Sequence, residues 1–244
     1  MKTFGWTLAA ALAALTLALA APVHSADPKL LRNVRGEVQY QKPSAGPKAL
    51  AAAASIALDD MDTAITGDSS VGEVLLPDST RVMVGSNSKV QLEFFNQAAT
   101  TSASFIVFNG KTRFKVEHPG GAPANYIFKT PTAQIAVRGT EGDIGVSDAE
   151  LDVNVYHLGD PNAPVEVSFT GGTSGGKTIK LVGGQSMVAQ IINGVVQAKV
   201  DQLKQDAIDK FSADFGLPAS IDHVKQQVIE KVKSVVPGLP KLPF

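Results

Sequence analysis

Between about Leu30 and Gln190 the chain breaks into short runs of alternating apolar and polar residues, each stopped by Gly, Pro, Asn, Asp or Ser. Alternation of period two sends successive side chains to opposite faces of an extended chain, so each run reads as a half-buried β-strand. In "KVQLEFF" Val90, Leu92 and Phe94 take one face and Gln91 and Glu93 the other. Phe114 with Val116, Ile135 with Val137, and Val153 with Val155 repeat the arrangement. Many short strands with a turn signal between each pair predict an all-β domain. Alternation does not separate a solenoid-like stack from a sandwich, and both fit.

The punctuation between runs has its own chemistry. "PDST", "FNGK" and "SDAE" suit tight reversals, and Asn109-Gly110 is the strongest hairpin signal because both residues tolerate positive φ. "VRGEVQY" reads as one early strand, followed by the Ala-rich "SAGPKALAAAAS", which pads a loop.

Past Gly194 the pattern changes. Val196, Val200, Leu203, Ala207 and Phe211 fall at spacings of three and four, the periodicity of an amphipathic helix. Gly216-Leu217-Pro218 ends it, Ser220 suits an N-cap, and Ile221, Val224, Val228, Val232 and Val235 form a second stripe. Both stripes are too short for a sustained coiled coil, so packing on the β domain or on each other is expected. The other end starts with Lys2, an apolar run from Leu8 to Ala21, and small residues around Ser25 and Ala26. That is the plan of a cleaved secretory signal peptide, with no second apolar stretch to hold the remainder in a membrane. The expected organisation is therefore residues 1–25 as signal peptide, 26–193 as the β domain and 194–244 as a helical segment, in a periplasmic or secreted protein.

Composition closes several functional classes. The 244 residues carry a formal net charge of −1, and no basic stripe with interleaved aromatics suggests nucleic acid. There is no cysteine, which removes disulfides, thiolate metal sites and a Cys nucleophile. His118, His157 and His223 lie far apart without a ligand cluster, so no metal is expected. Asp59, Asp60 and Asp62 lack calcium-loop spacing, and neither "GTSGG" nor "VGSNS" forms a nucleophile elbow leading into a helix. "GGTSGGKT", Gly171 to Thr178, fits the P-loop string, but a P-loop must open into a helix whose N-terminus faces phosphate. Here "PVEVSFT" precedes it and "IKLVGG" follows, two strands around a flexible tip, with Lys177 solvated. No nucleotide, cofactor or catalytic residue is expected.

Several motifs occur together in a telling order. They are Arg35-Gly36-Glu37-Val38, Gly67-Asp68, Leu76 to Val82 ("LPDSTRV") with Asn87-Ser88, Gly110 through Phe114 and Val116, and Thr130-Pro131 with Val137-Arg138-Gly139-Thr140. This series resembles the FecR domain, a bacterial envelope module, over roughly Val34 to Val146 with weaker continuation to Gln190. The resemblance singles out Pro77, Asp78, Thr80, Asn87, Ser88, Pro131, Val137, Arg138, Gly139 and Thr140, mainly as structural residues. In strict alternation Arg138 is either a solvent-facing cation or a guanidinium satisfying carbonyls and a carboxylate such as Glu141 or Asp143. Ser79 stands where the family usually has a turn glycine. The iron-signalling members also carry an anti-sigma segment and a transmembrane helix; this sequence shows neither, so that relay is not carried over. The expected function is a non-enzymatic binding, signalling or scaffolding module that engages an envelope protein or a cell-wall polymer. A structural component of a secreted assembly is the alternative, and a hydrolase or nucleotide-dependent enzyme a minor one.

Overall fold

The computed structural model describes residues 27–117, 124–171, 175–193 and 195–216. Its strands are β1 (Leu30–Arg35), β2 (Val38–Gln41), β3 (Lys48–Leu50), β4 (Ser55–Ala57), β5 (Thr63–Thr66), β6 (Val71–Leu75), β7 (Arg81–Val84), β8 (Lys89–Gln97), β9 (Thr101–Lys115) and β10 (Ala124–Lys129). They continue with β11 (Ala133–Val137), β12 (Thr140–Val146), β13 (Glu150–Leu158), β14 (Val165–Phe169), β15 (Thr178–Leu181), β16 (Gln185–Ile192) and β17 (Val195–Gln202), and one helix, α1 (Gln205–Asp214), follows.

Pairing sorts these strands into two layers. The first sheet runs β4-β1-β6-β7-β9-β12-β13-β16-β17 and is antiparallel throughout. The second runs β3-β2-β5-β8-β9-β10-β11-β14-β15, with β9 and β10 its parallel pair. Alternation fixes which face of each strand is buried, and the two apolar faces meet. Leu31, Val74, Val82, Phe114, Ile144, Val153 and Met187 come from the first sheet, and Val38, Leu92, Phe105, Phe128, Ile135 and Val167 from the second.

The strand β9 belongs to both sheets. Its N-terminal part, through Asn109, pairs with β8, and from Gly110 onward it pairs with β12. The expected hairpin at Asn109-Gly110 is therefore replaced by a bend. Gly110 has φ +93°, and a Cβ there would lie 2.6 Å from Ser88 Cα, so this corner needs glycine for space as well as conformation. Asn109 bonds back to the neighbouring corner through Nδ2 to the Asn87 carbonyl, at 2.8 Å.

This corner is one of a stacked set. "VRGEVQY" does not form one strand: Gly36, at φ +74°, passes the chain from β1 in the first sheet to β2 in the second. Gly67 N–H then donates to Glu37 O at 2.9 Å, Asn87 N–H to Gly67 O at 3.0 Å, and Lys111 N–H to Ser88 Oγ at 2.8 Å. Successive crossings lie one upon another, so the structure combines both expected architectures: two packed sheets whose chain winds between them like a solenoid. The Ala-rich insertion forms the short edge strand β3 and leads into the edge strand β4, where a padded loop was expected.

The tail also departs from its periodicity. Val195–Gln202 is strand β17, hydrogen-bonded along β16, and the helix begins only at Gln205. A spacing of four, as between Val196 and Val200, returns to the same face of a strand as well as of a helix, and Ala198 between them completes the strand pattern. The free edge of β16 gave that segment partners for its backbone groups, which decided the outcome. The expected second helix, from Ser220, lies outside the described residues.

Candidate functional site

Antiparallel register lines up one residue from each strand across a sheet. On the outer face of the first sheet such a row reads Arg32, Glu73, Met83, Arg113, Asp143, Asn154, Ser186 and Asp201. Acids, bases and an amide from six strands, with Met83 and Ser186 from two more, thus lie side by side, although no two are neighbours in sequence. The parallel row beside it includes Arg81, Lys115, Glu141 and His157.

The helix α1 lies on this face. Lys111 pairs with Asp214, and its ammonium also sits 5.4 Å from the Phe211 ring centroid. Arg113 Nη1 donates to Ser212 Oγ at 2.8 Å, and Arg35 Nη2 to the Asp214 carbonyl at 3.1 Å. Phe215, just past the helix, is buried against Gly85, where a Cβ would come within 3.1 Å of its Cζ. Of the expected stripe only Phe211 reaches the β structure from the helix, together with Phe215, whose ring lies 5.2 Å away, while Ala207 and Val200 are exposed.

Beside the helix sits an enclosed carboxylate. Asp143 is wholly buried although its strand position points outward. Tyr156 Oη–H donates to one carboxylate oxygen and Asn154 Nδ2 to the other, the latter at 2.7 Å. The Arg113 guanidinium lies 4.7 Å from the Tyr156 ring centroid and makes its ion pair with Glu141 at 2.8 Å. Burial pushes Asp143 up to about 7, against the opposing effects of the Asn154 hydrogen bond and the Arg113 charge. Asp152, half-buried and close to Glu150, is pushed up to about 6, again chiefly by burial.

At the other side of Arg113 the face opens into a concavity of about 310 Å³. Arg32, Arg81 and Lys115 stand around it with Glu73, which receives Arg32 at 2.5 Å and Arg81 at 3.7 Å. Val34, Met83 and Phe215 supply apolar wall.

The family-signature residues fall mostly elsewhere, at turns and corners. Asp78, in the turn from β6 to β7, accepts hydrogen bonds from Thr80 N–H and Thr80 Oγ1–H, both at 3.0 Å, and from Tyr126 Oη–H at 2.5 Å. Tyr126 belongs to the second sheet, so this carboxylate ties the two layers together at that end, and burial with the Asp78 contact pushes the phenol upward. Thr80 Oγ1 also accepts from Glu117 N–H at 3.1 Å. Pro77 precedes this turn. Ser79 within it has φ +70°, a conformation unfavourable for a side chain by about 1–2 kcal/mol. Ser79→Gly is therefore expected to raise stability by about 1 kcal/mol, measured by denaturant unfolding with unchanged m-value.

Asn87 and Ser88 form the corner described above, Asn87 with φ +52°. Pro131 sits in the β10–β11 turn, closed by Thr130 N–H to Ala133 O at 2.8 Å. Val137 is buried, Gly139 turns the chain at φ +64°, and buried Thr140 accepts Val116 N–H through its carbonyl at 3.0 Å. Arg138 is exposed and makes no hydrogen bond or ion pair among the described residues, while Glu141 and Asp143 are taken up by Arg113, Asn154 and Tyr156. The "GGTSGGKT" string joins β14 to β15, which pair antiparallel from Ser168↔Thr178, and Lys177 is exposed.

The sequence motifs contain Arg81 and Arg113, and the sequence offers Asp143 as a partner for Arg138, but none of this shows that Arg113, Asp143 and Tyr156 meet or that a concavity lies beside them. The available signal was Asp143 in "EGDIGVS", a carboxylate within a run otherwise poor in charge, but its partners emerge only from the strand register.

Comparison with known proteins places these features. Residues 62–157 match the family described as FecR protein, a span from Asp62 to His157 that holds Glu73, Met83, Arg113, Asp143 and Asn154 of the outer row. No curated protein matches the chain. Two crystal structures of a proposed anti-sigma factor from Parabacteroides distasonis ATCC 8503, at 1.65 and 2.50 Å resolution, are 17% identical to it with TM-scores of 0.45 and 0.46. The alignments cover 59% and 61% of this chain and 62% and 63% of the other, so the chain spans less than two thirds of that protein's length.

Proposed function

We propose that this chain, which carries a FecR domain at residues 62–157, is an exported, non-enzymatic module that binds an envelope partner in a signalling or regulatory role. The observation that carries the reading is the outer face of the first sheet, where one row of charged and amide groups runs across the FecR domain, with a docked helix and an open concavity beside it. A face of this kind recognises by charge and shape. Export is supported by Lys2 and the apolar run from Leu8 to Ala21. No helix among the described residues is long and apolar enough to cross a membrane.

Crosslinking in intact cells followed by mass spectrometry tests this. One defined envelope protein captured by the full chain is the expected result; recovery of the protein in the medium with only self-crosslinks would overturn it. That outcome would favour a second reading, a structural component of a surface assembly, for which β17 supplies an observation. Among the described residues it pairs only through β16, and Val188, Ile192, Val195 and Val200 are exposed on this hairpin.

A further inference from the structure

We propose that the concavity beside α1 binds a peptide C-terminus, taking its carboxylate between Arg81 and Lys115 and its last side chain against Val34 and Met83. This names the ligand class for the binding face proposed above and rests on that reading.

Charge argues first. Arg81 and Lys115 stand directly opposite each other on β7 and β9, and like charges so placed destabilise a sheet. Their side chains are 59% and 57% exposed, so each retains donors for a ligand. Arg81 is only loosely held, 3.7 Å from Glu73, whose closer partner is Arg32 at 2.5 Å. Lys115 bonds Glu117 at 2.7 Å, and Glu117 does not line the concavity. Four cations, Arg32, Arg81, Arg113 and Lys115, line it against two carboxylates, Glu73 and Glu141. An anion seated between Arg81 and Lys115 converts their repulsion into two charge-assisted hydrogen bonds.

Size and lining narrow the class. About 310 Å³ lies at the lower limit of small-ligand sites, room for the end of a chain and little more. Val34, Met83 and Phe215 form an apolar wall beside the cations, so the ligand joins a carboxylate to an apolar group. A chain-terminal apolar residue has that chemistry. Phe215 and Gly216, just past α1, line one side of the space.

The experiment titrates the full exported chain with N-acetyl-Ala-Leu, its C-terminal amide and inorganic phosphate, followed by backbone amide shifts in NMR. Saturable shifts at Arg81, Met83 and Lys115 with the acid are expected, with affinity about tenfold weaker for the amide. Arg81→Gln and Lys115→Gln should each weaken the acid about five- to tenfold without lowering the melting temperature, since each also relieves the repulsion between the two cations. Equal binding of acid and amide, no loss in both variants, or phosphate binding as tightly as the peptide acid would overturn the proposal. If the full chain captures an envelope partner in cells while N-acetyl-Ala-Leu leaves these amides unmoved, the ligand class is wrong and the binding-module reading stands; failure of both removes both.

Discussion

Phe128→Ala is expected to destabilise the protein by about 3–5 kcal/mol, because a large buried aromatic is lost and a cavity remains between two sheets. The position is unusually connected. Phe128 on β10 stacks on Phe105 at 5.3 Å and on Phe114 at 4.8 Å, and those two rings come from the two halves of β9. Phe105 belongs to the second-sheet half and Phe114 to the first-sheet half, so one ring packs on both layers beside the strand that joins them. A melting temperature lower by roughly 6–20 °C follows for a chain of this size. The control is Phe108→Ala, also on β9 but 41% exposed, with an expected change below about 1 kcal/mol. Equal losses at both positions in denaturant unfolding would mean that the two sheets do not share this core.

Stability is expected to fall as pH rises from 5 to 8, opposite to the acid sensitivity of most domains. Burial raises Asp143 to about 7 and Asp152 to about 6, both above their values in an unfolded chain, near 3.9. A raised folded pKa means that the folded state holds the proton more tightly. The contribution is complete below pH 4 and is lost as pH climbs through 6 and 7. The ion-paired carboxylates Asp59 and Glu93 are shifted downward, so their contributions change only at lower pH and leave this window clear. For wholly buried Asp143 the loss is on the order of 3 kcal/mol. Asp143→Asn keeps the size and fixes the neutral state, so most of the slope should vanish, leaving the smaller part due to Asp152. Unfolding curves at pH 5, 6, 7 and 8 check this. Stability that is flat or rising across the range in the native protein would contradict the burial of Asp143 beneath Tyr156 and Asn154.

Those two predictions separate what the sequence made legible from what it did not. Alternation named most buried faces: Val90, Leu92, Phe114, Val116, Ile135, Val137, Val153 and Val155 are in the core, but Phe94, expected beside Val90 and Leu92, is 39% exposed because the register shifts between Leu92 and Phe94 and turns it off that face. The turns "PDST" and "SDAE" join consecutive antiparallel strands. At Asn109-Gly110 local chemistry permitted a reversal, but a positive φ serves a strand that bends from one sheet to another equally well, and packing against Ser88 chose the bend. Val196 and Val200 share a face in both helix and strand, so their spacing could not decide between them. The candidate site was hidden for a related reason. Arg81, Arg113, Glu141, Asp143 and Tyr156 meet only through the order and register of β7, β9, β12 and β13, which no stretch of sequence contains. The signature motifs, by contrast, were visible because turns and corners draw on neighbouring residues. That is why they located Asp78, Thr80 and Ser88 at turns, and held Arg81 and Arg113 without showing that the two share one face.

Partners are proposed to meet the outer face of the first sheet. A photo-crosslinking residue placed at Arg81, and in a second protein at Gln134 on the exposed face of the second sheet, tests it most directly in intact cells. Capture of one envelope protein from position 81 and none from 134, abolished in the first case by Lys115→Glu, is the predicted result. Capture from position 134 alone would contradict the account and move the binding face to the other layer.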